Sequence, residues 1–497
     1  AQETTIHPLV AVYLLLQVRA PEHLAFGGGA QETTIHPVVA VYLLLAIVLV
    51  VCLPRSKAIA PFLFAFFTIP IGQVVVLGAL HFTPLRFLIL AGLARRAFSR
   101  RLPCDRLGGI DWAVVLWSIS AAVCACLEWK ETGEVVRQAG SLLDTLGGFL
   151  VIRFLIPDGE TMRRTFKTLA AICTVFSITM VIEQVKHVNV FGLLGGMSTE
   201  VAVRNGQARS GATLGYLYAG AFAGVLIPMF VWLWTKEKSR IAACAGVIGA
   251  TVVVITSHSS TSLLALAGSI LGLVFWPLRN RMRMIRWGLV CILVTLHIVM
   301  KAPVWALIQR IDLTGSSSGS QRYLLVDMTI RHFTDWWLTG TKAYVDWGYS
   351  TWDLCNQFVA VALTGGLLTL IFYIAIFQRG FSLIGTARKS VMGDRDREWL
   401  LWCVGSSLFA TVVAHFGINY MAQLIMGFFT LVVCIVVATS EARQAAIQTV
   451  ATPAPARGQL APAPRAAVGT LALRKVKPEM GYGASKPKRE RPIWSKA

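Results

Sequence analysis

The chain has 497 residues, of which 55% are hydrophobic and only 14% are charged, whereas a soluble domain carries about 25% charged residues. Apolar runs recur along its length, and each reaches the roughly 20 residues that cross a bilayer core as a helix. These features exclude a soluble globular protein, and a membrane β-barrel would instead show short alternating segments. We therefore predict an all-α fold, a polytopic transmembrane helical bundle.

The formal net charge of +21 resembles that of a nucleic-acid-binding protein, but its distribution along the chain indicates another cause. Most Lys and Arg residues lie in short loops between apolar runs, as the positive-inside rule of membrane proteins requires. We therefore expect membrane lipids as partners, and no nucleic acid. The ten cysteines are scattered without the spacing of a zinc site or a disulfide framework, so no metal is expected.

Three regions follow from composition: an N-terminal segment (1–37), a transmembrane domain (38–439) and a basic tail (440–497) that should be disordered. Residues 1–16 recur as residues 30–45 with one difference, a duplication of natural or artificial origin. The transmembrane domain is predicted to hold about 12–13 spans, at 38–53, 59–80, 82–94, 110–128, 136–156, 165–184, 212–234, 240–256, 261–277, 285–301, 357–378, 399–416 and 418–438. The second span contains Pro70 and Gly72, and a broken helix is the alternative there.

The loops between these spans predict the orientation. Two long loops without a strong basic excess, 185–211 and 302–356, should share the outer, periplasmic side. In the second loop, residues 322–337 are predicted to form an amphipathic helix, with one apolar stripe of Tyr323, Val326, Ile330, Phe333 and Trp337. The tail should lie on the cytoplasmic side together with five basic loops, at 95–101, 163–167, 236–240, 279–286 and 379–397.

Charged residues inside or beside the spans are functional candidates, because charge is unfavourable in a membrane. Arg86 lies in the third span, Asp144 in the fifth, and Glu183 at the end of the sixth. An ion pair between helices is the alternative for Arg86 and Asp144. Arg204 and Arg209 end the first outer loop, where two guanidinium groups can bind phosphate oxygens. A solvated loop or contact with lipid headgroups is the alternative there.

Several segments, taken in order, resemble the O-antigen ligase and O-antigen polymerase superfamily of bacterial envelope glycosyltransferases. The resemblance covers roughly residues 60–440, and it includes the large outer loop before the last three helices. The segments are Ile182-Glu183, Asn189-Val190-Phe191, Gly195-Gly196, Arg204 with Arg209-Ser210-Gly211, Ala219-Gly220, Ser257-His258-Ser259-Ser260-Thr261, Gln321-Arg322, and Asp353-Leu354-Cys355-Asn356 with Gly366.

The resemblance implies transfer of a glycan from an undecaprenyl diphosphate-linked oligosaccharide at the outer face of the bacterial inner membrane, without a metal, nucleotide or other cofactor. The acceptor would be lipid A core, another lipid-linked repeat or a protein hydroxyl. Arg204 and Arg209 are expected to bind the diphosphate, and we add Arg86 to this group. Arg322 corresponds to the arginine of the large loop. Cations placed at the diphosphate stabilise the charge that develops as the glycosidic bond breaks.

One position departs from the ligase pattern. Asn356, Gly366 and Thr369 fit the spacing of the ligase motif, but Cys355 stands where the motif has His. This departure favours a polymerase of exopolysaccharide or O-antigen over a ligase. Asp353 becomes the expected base for the acceptor hydroxyl, and Asn356 is expected to hold sugar or loop by hydrogen bonds. Secondary candidates are His258, His415 and Glu183.

Two other functions stay open. A lipid-linked glycan transporter or flippase would show two similar halves, and the chain has no half-to-half repeat. A non-catalytic component of a polysaccharide export complex would use the basic tail to dock to other assembly or export proteins. The alternative for Asp353 is an ion pair with Lys342 or Arg322. The leading hypothesis is a metal-independent glycosyltransferase.

Overall fold

A computed structural model describes residues 33–77, 80–99, 107–236, 240–310, 318–348, 351–421 and 423–451. The predicted all-α polytopic bundle is confirmed in these residues. Eight of the described helices are long and apolar enough to cross a membrane, and three shorter apolar helices accompany them. The first copy of the duplicated segment and residues 452–497 of the tail lie outside the described residues.

The principal helices follow the predicted order of spans. They are α1 (Pro37–Cys52), α2 (Arg55–Thr68), α3 (Pro84–Phe98), α4 (Gly109–Trp129), α5 (Thr132–Leu155, with a π-helical turn at Leu143–Gly147), α6 (Gly159–Lys186), α7 (Tyr216–Lys236), α8 (Ile241–Thr256), α9 (Ser260–Val274), α10 (Met282–Val299), α11 (Ser318–Arg331), α12 (Gln357–Ser390), α13 (Arg395–His415) and α14 (Gln423–Ala451).

Five short strands complete the described secondary structure. They are β1 (Thr33–Thr34), β2 (Gln73–Leu77), β3 (Leu80–Phe82), β4 (Ala202–Arg204) and β5 (Gln207–Arg209). β1 pairs parallel to β2, β2 pairs antiparallel to β3, and β4 pairs antiparallel to β5. Short helical turns occur at Val190–Leu194, Trp276–Arg281, Val304–Ala306, Leu307–Arg310, Phe333–Trp336 and Ala343–Asp346.

The second predicted span, 59–80, is broken at Pro70 and Gly72, so the alternative of a broken helix is observed and the full-length span is wrong. α2 ends at Thr68, and the following residues form β2 and β3 rather than helix. Pro70 cannot donate a helical hydrogen bond, and Gly72 weakens helix further. The β-branched residues of β2 then favour an extended chain. α2 has 14 residues and α3 has 15, so at 1.5 Å per residue neither crosses a bilayer core of roughly 30 Å alone.

Small residues permit close packing at the centre of the bundle, as in other membrane helices. A Cβ added to Gly249 of α8 would lie 3.1 Å from the backbone of Cys173 in α6. A Cβ added to Gly220 of α7 would lie 2.2 Å from the Ser262 hydroxyl of α9. α7 and α14 are the most buried of the long helices, whereas α10 contains no buried residue. α10 therefore lies outside the packed core.

Ion pairs of Arg and Lys with carboxylates cluster at one end of the bundle, which we call the basic end. Here Arg279 after α9 pairs with Glu398 of α13 at 3.2 Å, and Lys236 of α7 pairs with Asp396. Arg153 of α5 lies 3.7 Å from Asp111 at the start of α4. The clustering agrees with the predicted grouping of the basic loops on one side.

Two predicted features outside the spans need correction. The boundary between domain and tail, predicted at 439, falls inside α14, because helix-forming residues continue to Ala451. In the large loop, Ile330 and Phe333 of the predicted apolar stripe are exposed, while Leu325 and Trp336 are buried. The loop helix α11 turns this other face inward because it carries polar side chains that bond to the bundle, described below.

Candidate functional site

The two long loops, 185–211 and 302–356, meet at the end of the bundle opposite the basic end, around a cavity of about 150 Å³ that we call the polar pocket. The turns after α8 and α13 complete its wall. The pocket therefore joins four connections that are far apart in sequence. Its polar lining consists of Arg204, Arg209, Tyr216, Tyr218, Ser259, Ser260, Gln321, Arg322, Asp353, Cys355 and Asn419.

A β-hairpin presents the first two arginines to the polar pocket. β4 and β5 are joined by Asn205 and Gly206, both with positive φ, which is typical of the type I′ turn that Asn-Gly favours. The register pairs Arg204 with Gln207 and residue 202 with Arg209. Side chains of paired residues share one face, and alternate residues along a strand do so as well. Arg204 and Arg209 therefore lie on the same face of the hairpin.

The Arg209 guanidinium has hydrogen-bonding capacity that the described residues leave unused. Its guanidinium carbon lies 3.9 Å from the ring centroid of Tyr216, a cation–π contact. Its Nε is buried and has no hydrogen-bond partner among the described residues. Burial lowers the pKa of the Arg209 guanidinium, and the positive charge of Arg204 acts in the same direction. An anion beside the two arginines would relieve both effects.

Glu183 forms hydrogen bonds to the backbone that follows the hairpin, and it does not line the polar pocket. This fully buried carboxylate accepts hydrogen bonds from the backbone amides of Gly211, at 2.8 Å, and Ala212, at 3.2 Å. The neighbouring Gln184 donates through Nε2 to the carbonyl of Ala208, at 2.7 Å. These bonds fix the chain immediately before and after Arg209. Glu183 is therefore placed as a positioning residue rather than as a base.

Arg322 of α11 connects the large loop to the bundle. It is buried, and its Nη2 donates to the Thr261 hydroxyl at 2.9 Å and, at 3.5 Å, to the carbonyl of Gly417. Thr261 in turn donates to the same carbonyl at 3.2 Å. The guanidinium therefore joins α11, the start of α9 and the turn after α13. This contact explains why α11 turns its Arg322 face inward.

Asp353 is exposed in the polar pocket. Its Oδ2 accepts a hydrogen bond from Nε2 of Gln321 at 3.2 Å, which fixes the carboxylate on the pocket wall. Lys342, one of the two partners considered for it, instead lies over the ring of Trp129 at 4.0 Å. A carboxylate with one amide donor and open access is suited to accept a proton from a bound hydroxyl.

Asn356 forms hydrogen bonds at the end of the large loop, and Cys355 lines the polar pocket. Asn356 is 1% exposed, and its Oδ1 caps α12 by accepting from the amides of Phe358, at 3.0 Å, and Val359, at 3.3 Å. Burial raises the pKa of the Cys355 thiol to about 11; the positive charge of Arg322 opposes the shift and the negative charge of Asp353 adds to it. The thiol is therefore neutral near pH 7.

The backbone conformation and the close packing at position 366 both favour glycine. Its φ is +74°, which breaks α12 and favours glycine. A Cβ at this position would lie 2.4 Å from the carbonyl oxygen of Leu338. The large loop packs against the break, where the amide of Leu367 donates to the carbonyl of Trp337 at 2.8 Å. Gly366 therefore fixes the large loop against α12.

Arg86 is not part of the polar pocket lining. It forms a two-pronged ion pair with Asp144, with Nε–Oδ1 at 3.1 Å and Nη2–Oδ2 at 2.9 Å. The predicted alternative, an ion pair between helices, is therefore observed. Asp144 lies in the π-helical turn of α5, which directs the carboxylate toward α3. This ion pair occupies the Arg86 guanidinium and leaves Arg86 outside the proposed diphosphate site.

The two candidate histidines also lie outside the polar pocket lining. His415 is completely buried, with Nδ1 2.7 Å from the Thr411 carbonyl and Nε2 2.6 Å from the Tyr373 hydroxyl. Since the carbonyl can only accept, Nδ1 carries the proton and Nε2 accepts from tyrosine. Both nitrogens are thus occupied. His258 is half-buried in the turn after α8, with φ of +42°.

The sequence did not single out three polar groups of the polar pocket. They are Tyr216, Tyr218 and Asn419, and the Tyr218 hydroxyl donates to Oδ1 of Asn419 at 3.2 Å. The Asn205-Gly206 pair was a visible hairpin signal, but a hairpin at this position does not fix the place of Tyr216, seven residues beyond β5. No comparable local signal marks Asn419, because its neighbours in space come from distant segments.

Comparison with known proteins assigns no family: no family model matches the chain, and no curated protein matches it. In the described part of the chain, no group of three or more His, Cys, Asp or Glu side chains is placed to hold a metal ion. The polar pocket offers arginine, carboxylate, amide and hydroxyl groups. Its function must be inferred from these groups.

Proposed function

We propose that this protein is a membrane glycosyltransferase similar to O-antigen polymerases and ligases, and that it uses a lipid diphosphate-linked glycan as donor. The charge of the polar pocket carries the proposal. Arg204, Arg209 and Arg322 line it, and among its described lining residues Asp353 is the one carboxylate. The resulting excess of two positive charges complements a sugar–diphosphate–lipid, which has one negative charge on each phosphate.

The same groups suggest how the transfer would proceed. Arg204 and Arg209, on one face of a rigid hairpin, bind the diphosphate together with Arg322. The acceptor hydroxyl attacks the anomeric carbon and gives its proton to Asp353, while the bond from that carbon to the phosphate oxygen breaks. The diphosphate leaves with an additional negative charge, which the arginines stabilise. Gln321 holds Asp353 in place for this step.

The polymerase reaction is favoured over ligation because a neutral thiol replaces the histidine of the ligase motif. Cys355 cannot act as a base near neutral pH when burial raises its pKa to about 11. The acceptor would then be a second lipid-linked repeat. We further propose that the polar pocket faces the periplasm of a bacterial inner membrane, since the opposite end carries the basic loops.

The test is an assay of purified protein with undecaprenyl diphosphate-linked oligosaccharide, without added metal or nucleotide, analysed on a gel. A ladder that grows by whole repeats is expected, and Arg209→Ala should abolish it. The matched control is Arg283→Ala, which removes an exposed arginine at the basic end of α10. Transfer to added lipid A core instead would indicate a ligase. No transfer with several donors would overturn the proposal and favour a transporter or an export component.

A further inference from the structure

A second cavity lies on the membrane-spanning flank of the bundle, between α1, α2 and α6. Its volume is about 470 Å³, within the roughly 300–1,000 Å³ of pockets that hold small molecules. We call it the flank groove. Apart from Lys167 and Thr168, its lining is apolar or aromatic, and it includes Tyr42, Leu45, Leu49, Pro61 and Phe64.

The flank groove exists because each of its three helices contributes an alanine to the lining. Ala46 of α1, Ala60 of α2 and Ala171 of α6 all face it, and their small side chains leave the space between the helices unfilled. The Tyr42 hydroxyl, near the far end, is 2.9 Å from the Thr68 hydroxyl, which itself donates to a backbone carbonyl. Tyr42 is thus the donor, and its ring serves as an apolar wall.

Cations lie at the end of the flank groove nearest the basic end. Lys167 of α6 is part of the lining. In α2, Lys57 is exposed and precedes Pro61 by four residues, so both lie on one helix face. Arg164, one turn before Lys167, donates to the Ser56 hydroxyl at 3.2 Å. This bond brings the first turns of α2 and α6 together at the foot of the groove.

We infer that the flank groove binds an anionic phospholipid, with an acyl chain along its apolar lining and the headgroup phosphate between Lys57 and Lys167. Its place within the apolar spans makes hydrocarbon the expected filling, and the two lysines complement a phosphate. Basic clefts between membrane helices bind anionic headgroups in this way. The site lies outside the polar pocket and does not depend on the proposed enzymatic function.

Thermal unfolding and native mass spectrometry of the full chain in detergent test this inference. Phosphatidylglycerol should raise the melting temperature by several degrees more than phosphatidylcholine with the same acyl chains, because a ligand that binds the folded state stabilises it. One phosphatidylglycerol should stay bound in the mass spectrum. Lys57→Met combined with Lys167→Met should remove the difference between the two lipids, whereas Lys389→Met, a distant exposed lysine at the end of α12, should preserve it.

A separate substitution tests the part of the flank groove that is inferred to bind the acyl chain. Ala171→Phe should fill the flank groove and remove the response to phosphatidylglycerol, while Val123→Phe on the exposed face of α4 should not. Equal shifts from both lipids, or the same shift from inorganic phosphate alone, would overturn the inference. These wild-type comparisons decide the question even if a substituted protein fails to fold.

Discussion

The polar pocket and the Arg86–Asp144 pair both bring an arginine near a carboxylate, but they satisfy the arginine differently. Arg86 uses two nitrogens on one carboxylate, at 3.1 and 2.9 Å. Arg209 lies over the ring of Tyr216, and its buried Nε has no hydrogen-bond partner in the described residues. The first arginine is already neutralised within the protein, whereas the second has capacity for an anion.

The difference shows that a charge within a span does not by itself indicate a ligand site. A diphosphate could reach Arg86 only if Asp144 were left without its partner, which is unfavourable away from water. Arg86 also packs closely against α5, since a Cβ added to Gly140 would lie 2.6 Å from Nη2 of Arg86. Arg86 and Asp144 therefore have a structural role, and the binding role proposed above stays with the pocket arginines.

The largest expected effect is on turnover by the Arg209→Ala variant. Loss of a donor that stabilises developing charge lowers kcat by about 10²–10³-fold. The melting temperature should change little, because the described contact that Arg209 makes with another element is the cation–π contact with Tyr216, worth about 0.5–2 kcal/mol. Gel-based kinetics of glycan transfer and thermal unfolding measure the two quantities. Arg283→Ala should keep both. Full turnover by Arg209→Ala would remove the basis for separating the two arginine sites.

Asp353→Asn is expected to have the next largest effect. It removes the proton acceptor and lowers kcat by about 10²-fold, but the amide oxygen can still accept from Gln321, so the loop should keep its position. Binding of the lipid-linked donor, measured by quenching of intrinsic fluorescence, should change little. Loss of donor binding together with turnover would instead assign Asp353 to holding the loop.

Asp144→Asn should affect stability and not chemistry. It leaves the Arg86 guanidinium with a neutral partner, which should lower the free energy of unfolding by about 1–3 kcal/mol. Turnover per folded molecule should match the wild type. Urea unfolding in detergent and active-site-normalised kinetics make the comparison. A loss of turnover without a loss of stability would return this pair to the candidate ligands.

Sequence reasoning predicted structural elements marked by long apolar runs better than elements that depend on a few residues. Apolar helices in membranes satisfy their backbone hydrogen bonds locally, so hydropathy alone located most helices, including α7, α8 and α12. It failed at residues 69–82, where Pro70 and Gly72 end a helix within an otherwise apolar run. It also failed for α11, whose inward face is chosen by the contact of Arg322 with Thr261.

For the candidate site, the order of the motifs was sufficient to select Arg204, Arg209, Arg322 and Asp353, which the structure brings into one pocket. Residues defined by long-range contact were not accessible in the same way. Whether Arg86 binds a ligand depends on a carboxylate 58 positions away. The capping role of Asn356 was readable from sequence, since Asn before an apolar helix is a common N-cap.

Gly206→Ala tests the hairpin with a smaller expected effect. The φ of Gly206 is +75°, and no atom lies within 4 Å of an added Cβ, so the substitution acts through backbone strain alone, about 1–2 kcal/mol. A loosened hairpin should raise KM for the donor about five- to thirtyfold while kcat stays near the wild-type value. An unchanged KM would mean that the hairpin does not position Arg204 and Arg209.

The smallest expected effect is that of Cys355→Ser, which asks whether the residue in place of the motif histidine does any chemistry. Burial raises the pKa of the Cys355 thiol to about 11, so the group is protonated and uncharged below that pH, as a serine hydroxyl would be. The variant should therefore keep its rate within about twofold, the usual range of a neutral substitution, and retain the same pH–rate profile.

Alkylation of Cys355 should be slow near neutral pH and accelerate as the pH approaches 11, because the thiolate is the reactive form. If Cys355→Ser removed one limb of the pH–rate profile below pH 9, the thiol would be titrating in the working range. The cysteine would then be a participant, and Asp353 would no longer be needed as the base.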